Sequence, residues 1–271
     1  MTLTKIITHG IFFYDGIYDS IPLMILCALV SIIVPYLLGS INFAIIISAK
    51  QYNQDIRTFG SKNAGMTNMM RTYGRRAAGL TLIGDALKAV FGCIVGYLML
   101  GYWGAFIAGL CCVIGHMFPC YYKFRGGKGV VTGAVAMLMC DPITFAIVLL
   151  IFIIIVAFTR YISLGSVMCA LLYPIILDRV YKWIHQSICP FIIFALLMSL
   201  LIVAKHHENI KRLLQGKENK FSFKKSKKVA QNDTQPIAEA VADIDDIDEE
   251  SESASKKKAK SRSKNYGKKK K

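Results

Sequence analysis

Four polar stretches interrupt an otherwise apolar chain, and each carries side chains that suit an anion. They read GSIN (residues 39–42), DIRTFGSKNAGMTNMMRTYGRR (55–76), GHMFPCYYKFRGGKGVVTG (115–133) and KHHENIKRLLQGKENK (205–220). Glycines let backbone N–H groups turn towards an anion, hydroxyl and amide side chains add neutral donors, and arginine offers a two-pronged fork for phosphate. Together the stretches predict a site that binds phosphate groups.

The second stretch holds more than a positively charged loop requires. Orienting a membrane loop takes only lysine and arginine, whereas this loop also places short hydroxyl and amide side chains between Gly60 and Gly65. We therefore favour an anion site over an orientation signal. The polar candidates in this stretch are Asp55, Arg57, Ser61, Asn63, Thr67, Asn68 and Arg71.

The third stretch sets Lys128 among glycines in the manner of a phosphate-binding loop. It is not a Walker A loop, because Gly129 follows Lys128 where serine or threonine is needed. Nucleotide binding is therefore poorly supported. His116 precedes this loop and is a candidate for binding a hydroxyl or a phosphate. In the fourth stretch, a helical repeat of apolar residues predicts an amphipathic helix at the membrane interface.

Long apolar runs must position these stretches. The 271-residue chain is 54% hydrophobic with a mean hydropathy of +0.45, and several runs reach the roughly 20 residues that cross a bilayer as a helix. The sequence predicts an all-α, polytopic transmembrane helix bundle of about seven spans. The predicted spans are residues 21–49, 77–100, 102–121, 130–140, 142–158, 161–177 and 188–204.

Positive charge predicts which ends of these spans lie in the cytoplasm. Residues 50–76 carry six Lys/Arg, the glycine loop carries three and the chain from Lys205 carries 19, and such residues accumulate on the cytoplasmic side. An even number of crossings must then follow the glycine loop. Asp141-Pro142 supplies the required break, since proline opposes helix continuation. This gives an N-terminus outside and a C-terminus inside, with the polar stretches at the cytoplasmic face of the cell membrane.

The sequence divides into an N-terminal segment (1–20), a membrane domain (21–220) and a charged tail (221–271). The tail has an acidic block, then a basic block and few apolar residues, so we expect disorder in the cytoplasm. It is either simply solvated or in contact with anionic membrane lipids. Within the membrane domain, Asp85 and Lys88 stand three residues apart on one helix. They should pair or face the polar site, because isolated charges are costly in lipid.

Seven short motifs, in this order, resemble the bacterial integral membrane glycerol-3-phosphate acyltransferases that use acyl-phosphate as donor. The motifs are GSINF, DIRTFGSKNAGMTN, RTYGRRAA, GDALKA, GHMFPCYYKFRGGKGVVTG, RYISLGS and HHENIKRLLQGKEN. The resemblance runs from about residue 39 to residue 220 and agrees with seven helices. It implies transfer of an acyl group to the sn-1 hydroxyl of glycerol 3-phosphate, giving lysophosphatidic acid and phosphate in the first acylation of phospholipid synthesis.

The resemblance also implies roles for individual residues. Acyl-phosphate would be held by the turn of residues 61–68, including Ser61, Asn63, Thr67 and Asn68, with Ser40 nearby. Glycerol 3-phosphate would be held by Arg57, Lys128, His206 and Asn209. No cofactor, no metal and no strong protein base is expected, and nucleic acid is not required. A substrate phosphate would take the proton, with His116 as the alternative base.

The chain departs from the family pattern at several positions. Asn42 and Ala44 replace a usual proline and glycine, and Lys62 replaces a small residue in the donor turn. Three other functions are alternatives. One is a transporter of a phosphorylated metabolite, although no internal repeat is evident. Another is a metal-dependent transferase that uses a nucleotide-activated lipid, although the six Asp/Glu before Lys205 are widely spaced. The third is a nucleic-acid or lipid-surface binder driven by the tail, which would not explain the membrane domain.

Overall fold

The computed structural model describes residues 21–187 and 189–220, and every regular element within them is helical. The predicted all-α fold is therefore confirmed. The N-terminal segment and the charged tail, with the predictions made for them, lie outside the described residues. Nine α-helices follow one another in these described residues: α1 (Ile21–Ser40), α2 (Phe43–Tyr52), α3 (Met66–Tyr73), α4 (Arg75–Met117), α5 (Val130–Cys140), α6 (Pro142–Thr159), α7 (Ile162–His185), α8 (Ile192–Lys205) and α9 (His207–Leu214).

The first predicted span is divided into two helices, α1 and α2, and is not continuous over residues 21–49. The chain leaves the helix after Ser40, and the Asn42 side chain accepts a hydrogen bond of 3.2 Å from the Ile45 backbone N–H. A side-chain acceptor at this position satisfies an otherwise unpaired donor and starts a new helix. Asn42, a departure from the family pattern, thus has a local structural role as the cap of α2.

Helix α4 is a hairpin of two antiparallel arms, residues 75–99 and 102–117. Leu100 and Gly101 have non-helical dihedral angles, and Gly101 has a φ of 58° that favours glycine. Beyond this turn the arms touch where Gly96 meets Gly104, and a side chain at either position would collide with the backbone of the other. Small residues of this kind let membrane helices approach closely. The predicted break between residues 100 and 102 is confirmed.

The predicted break at Asp141 is also present. Helix α5 ends at Cys140, and Asp141 caps α6 by accepting hydrogen bonds from the backbone N–H groups of Ile143 (3.1 Å) and Thr144 (3.0 Å). Pro142 occupies the first turn of α6, where its missing N–H costs no helical hydrogen bond. The sequence Asp-Pro therefore ends one helix and begins the next.

Length and apolar composition alone make four described segments long enough to cross a membrane. They are Ile21–Tyr52, Arg75–Tyr122, Pro142–Thr159 and Ile162–His185, and the pair α8–α9, bent by 58°, is a fifth if taken as one span. The count of seven adds the second arm of α4 and the short α5, and it stays a prediction. Large apolar side chains on the outer faces, such as Phe91, Leu150 and Phe158, are exposed as lipid-facing residues would be.

Candidate active site

Asn68 organises the loop that precedes α3. Its side chain is buried and donates hydrogen bonds to the carbonyl oxygens of Ile56 (3.2 Å), Phe59 (2.9 Å) and Asn63 (3.1 Å). Its Oδ1 accepts a hydrogen bond of 2.9 Å from the Ser61 backbone N–H. Turns satisfied by a single amide side chain are well defined, because each buried backbone group has a partner. The loop is thereby folded into one shape beside the cavity described below.

A chain of hydrogen bonds joins the glycine loop to α7 and α9. Lys128 Nζ donates to Asn209 Oδ1, and the Asn209 amide in turn donates to Glu218 Oε1 over 2.8 Å. Glu218 also accepts from Ser163 Oγ (3.0 Å) and from Arg212 Nε (2.8 Å). Charge-assisted bonds of this kind are stronger than neutral ones. Lys128 is therefore held in place by segments that are distant in the sequence.

Burial changes the protonation of these polar groups. Burial, together with the charge of Arg212, lowers the pKa of Lys128 to about 8, although Glu218 partly opposes the shift. Burial likewise lowers the pKa of His206 to about 4, and Ile202 O lies 2.7 Å from its Nδ1. Burial opposes ionisation of Glu218, but hydrogen bonds from its three partners bring its pKa below the usual value. At neutral pH the site combines a protonated Lys128, a neutral imidazole and a carboxylate.

Asp85, Lys88 and His116 form a buried cluster between the arms of α4. Lys88 Nζ lies 2.9 Å from Asp85 Oδ1, 2.8 Å from the Ile41 carbonyl oxygen and 2.8 Å from His116 Nδ1. The contact with Asp85 is at ion-pair distance, although Asp85 Oδ1 lacks hydrogen-bond geometry. The prediction that Asp85 and Lys88 pair is confirmed. Because Lys88 donates to Nδ1 of His116, the tautomer assigned to a neutral imidazole carries its proton on Nε2.

One cavity of about 580 Å³ connects the polar elements with an apolar interior. Its polar end includes Arg71, Ser163 and Glu218, and its apolar end runs between α5, α6, α7 and α8. Asp85 and His116 of the buried cluster also line it. The predicted site residues that line this cavity are Ser61, Asn63, Thr67, Asn68, His116, Lys128, His206 and Asn209.

Two predicted contacts, Arg57 and Ser40, lie outside the cavity lining. Arg57 is paired with Asp55 through two nitrogen atoms and donates to the carbonyl oxygens of Tyr122 (3.1 Å) and Arg125 (3.2 Å). Ser40 Oγ donates to the Tyr36 carbonyl oxygen (2.9 Å) and accepts from the Cys120 backbone N–H (3.4 Å). Arg57 joins the second polar stretch to the third, and Ser40 joins the first to the third, so their visible contacts are structural.

Ser163 and Glu218 both line the cavity, but neither was predicted from the sequence as a site residue. Ser163 belongs to the motif RYISLGS and Glu218 to the segment QGKEN. The motifs therefore include both residues but do not predict the hydrogen bond between them. A lone glutamate among lysines normally indicates a solvated surface, and only the return of the chain after α9 brings it against Asn209. Within the described part of the chain, no three His, Cys, Asp or Glu side chains gather as metal ligands would.

The chain resembles known enzymes over most of its length. A family model described as glycerol-3-phosphate acyltransferase matches residues 29–216. The glycerol-3-phosphate acyltransferase of Finegoldia magna is 39% identical over 192 residues, covering 70% of this chain and 93% of that protein. That of Clostridioides difficile is 39% identical over 199 residues, covering 71% and 95%.

A solved structure shares the fold. PlsY, described as an integral membrane glycerol 3-phosphate acyltransferase in its glycerol 3-phosphate form, has 32% identity and a TM-score of 0.65, covering 72% of this chain and 96% of that one. Its lysophosphatidic acid form gives a TM-score of 0.63. The family model extends across both arms of α4, the glycine loop and α9. The chain belongs to the glycerol-3-phosphate acyltransferase family of PlsY-type integral membrane proteins.

Proposed function

We propose that this protein transfers an acyl group from acyl-phosphate to the sn-1 hydroxyl of glycerol 3-phosphate, releasing lysophosphatidic acid and phosphate. The observation that carries the proposal is one continuous cavity that has both a phosphate-compatible end and an apolar end. An acyl-phosphate has this division in one molecule, and glycerol 3-phosphate needs only the polar end. The similarity to PlsY supports glycerol 3-phosphate as the acceptor, since a PlsY structure was solved in a glycerol 3-phosphate form.

The cations of the polar end are assigned to glycerol 3-phosphate. Lys128 and Arg71 both line the cavity, and Asn209 and His206 add an amide and a neutral imidazole. Buried or half-buried cations interact more strongly with phosphate than exposed ones, because less water screens them. The loop that Asn68 organises, with the hydroxyls of Ser61 and Thr67, is assigned to the phosphate of the donor. Arg57 and Ser40 are assigned to holding the loops and not to binding substrate.

The reaction needs alignment and charge stabilisation. The glycerol hydroxyl oxygen attacks the acyl carbonyl carbon, the bond between that carbon and the phosphate oxygen breaks, and the hydroxyl proton passes to a phosphate oxygen. Phosphate is already a good leaving group, and holding two reactants in register is worth about 7–11 kcal/mol of the barrier. Donors aimed at the developing charge contribute further. His116 is the alternative base, but in the tautomer assigned above its Nε2 carries the proton and its Nδ1 accepts from Lys88, so it must first release Lys88 to take the hydroxyl proton.

The site is assigned to the cytoplasmic face, where glycerol 3-phosphate would enter from water. The positively charged loops support this orientation, and their contacts with one another support a common end of the bundle. Arg57 meets Arg125, Lys128 meets Asn209, and Lys205 Nζ donates to the Met117 carbonyl oxygen over 3.1 Å.

The test uses the purified protein in bicelles with labelled glycerol 3-phosphate and no divalent metal. Palmitoyl-phosphate, palmitoyl-coenzyme A and palmitoyl-acyl-carrier protein are supplied separately. We expect labelled lysophosphatidic acid from palmitoyl-phosphate alone, with the acyl group at sn-1. Product from a thioester alone would overturn the donor assignment.

The base is tested separately by replacing His116 and His206 together. The proposal expects residual single-turnover chemistry at saturating substrate, because a phosphate oxygen takes the proton. Loss of that step with substrate binding intact would instead support a protein base. If the well-folded, unmodified protein gives no product from any donor, transport of a phosphorylated metabolite becomes the favoured function.

A further inference from the structure

The apolar end of the cavity extends to a similar depth along α6 and α7. On α7 the lining runs through Ser163, Ser166 and Ala170 to Tyr173, which lies ten positions after Ser163, or about 15 Å along the helix axis. On α6 it runs from Phe145 to Val156, about 16 Å. Both helices therefore line the cavity over about the same length. The lining begins beside the polar end with Val156 on α6 and Ser163 on α7.

Tyr173 stands at the inner limit of that wall. Its side chain is buried, and beyond it Leu177 and Phe191 belong to the packed core and do not line the cavity. No hydrogen bond from the Tyr173 hydroxyl is found within residues 21–187 and 189–220. The ring therefore acts on the cavity through its size. A close-packed core behind the ring leaves no space for further methylene groups.

We propose that Tyr173 is the floor of the acyl-chain limb and sets the longest acyl group that the enzyme transfers efficiently. This inference rests on the proposed function, because it assigns the apolar limb to the acyl chain. Chain length would be limited by volume at one position. A hydrophobic pocket discriminates against one additional methylene by about tenfold or more when that group has no space.

Ala170 provides an independent means of testing the floor. It is buried, it lines the cavity, and it lies three residues before Tyr173 on the same helix. That spacing is about 4.5 Å along the axis, close to the length of three or four methylenes. A larger side chain at position 170 should therefore raise the floor towards the polar end and shorten the preferred chain.

The experiment measures product distribution from an equimolar mixture of lauroyl-, myristoyl-, palmitoyl- and stearoyl-phosphate. In Ala170→Leu we expect the ratio of stearoyl to lauroyl product to fall about tenfold or more. In Tyr173→Ala we expect that ratio to rise. Tyr173→Phe keeps the ring and should leave the distribution unchanged, as should Leu171→Phe, which alters a half-exposed position outside the cavity lining.

A second readout separates this proposal from the proposed function. The increase in melting temperature on adding lysophosphatidic acids of the same four chain lengths is measured for each variant. Absence of product from acyl-phosphates in the unmodified enzyme would contradict the donor assignment, while the stabilisation series would still report on the floor. An unchanged chain-length series in folded Ala170→Leu would overturn the floor, even if Tyr173→Ala did not fold.

Discussion

Asn68 and Thr67 are neighbours on α3 with different contacts. Asn68 makes the four hydrogen bonds that shape the loop, whereas Thr67 lines the cavity with no side-chain hydrogen bond among the described residues. We expect Asn68→Ala to cost about 3 kcal/mol of stability, since a buried amide network would lose all its partners. Thermal melting should show this loss together with reduced activity.

Thr67→Val is the matched comparison. It keeps the shape of the side chain and removes only the hydroxyl, so melting should stay near that of the unmodified protein while the donor KM rises about tenfold. A large loss of melting temperature in Thr67→Val, or none in Asn68→Ala, would reverse the roles assigned to the two residues.

Lys128 should make glycerol 3-phosphate binding depend on pH. Its pKa is lowered to about 8 by burial and by Arg212, so the free enzyme loses this positive charge as the pH rises through that value. The phosphate of the acceptor, with a second pKa of about 6, is already fully ionised there. We therefore expect the acceptor KM to be steady near pH 7 and to rise about tenfold per pH unit above 8.

Lys128→Arg supplies the control for that profile. A guanidinium stays protonated throughout this range, so the rise in KM above pH 8 should disappear even if the absolute KM is altered. The assignment of the charge to Lys128 fails if both enzymes show the same rise.

Much of the candidate site could be predicted from the types of its residues. Which of them line the cavity and which hold the surrounding loops could not. Glycines, hydroxyls and lysine at close spacing indicated an anion site, and most predicted residues do line one cavity. The pairing of Arg57 with Asp55 was not predicted, because charges two residues apart meet only when the turn between them is known. The role of Glu218 required the fold that returns it to Ser163.

At the scale of elements, the α4 hairpin depends on two glycines that let its arms touch. A methyl group at Gly104 would lie on the backbone of Gly96, where neither arm can yield without separating. We expect Gly104→Ala to destabilise the protein by about 2–3 kcal/mol, the usual cost of overpacking. Because Lys88 and His116 meet across the same arms, activity should fall as well.

Gly79→Ala provides the control on the same helix. No atom lies within 4 Å of a methyl group added there, and alanine is the better helix former by about 1 kcal/mol. Melting in detergent should therefore be unchanged or higher for Gly79→Ala and lower for Gly104→Ala. Equal losses in the two variants would contradict close packing of the arms at Gly104.

The elements were the most predictable part of the fold. Breaks at Gly101 and at Asp141-Pro142 follow from backbone chemistry and appear where the sequence places them. The break before Asn42 was missed, because asparagine within an apolar run is as compatible with helix packing as with a new helix start. Only the contact between Asn42 and the Ile45 backbone N–H distinguishes the two.

At the scale of the whole molecule, the short α5 sets the depth of the site. Its 11 residues extend about 16 Å, against a hydrocarbon thickness of about 30 Å. If Asp141 lies at the outer surface, Lys128 must lie well inside the cytoplasmic boundary. That depth agrees with the burial of Lys128. It would also let a donor embedded in the cytoplasmic leaflet react without its carbonyl group leaving that leaflet.

The membrane orientation can be tested at two exposed positions on opposite ends of the bundle. Ser187 follows α7, and Arg125 lies in the glycine loop, where only its backbone carbonyl is engaged by Arg57. With seven spans and the tail inside, an impermeant maleimide should label Ser187→Cys in intact cells and Arg125→Cys only after permeabilisation. The native cysteines are buried or half-buried, so the unsubstituted chain gives the background. If α5 and α6 formed one crossing instead of two, Ser187 and Arg125 would lie on the same side of the membrane and the tail would leave the cytoplasm. Labelling of Arg125→Cys in intact cells would therefore overturn the orientation and place glycerol 3-phosphate binding on the wrong side for a cytoplasmic substrate.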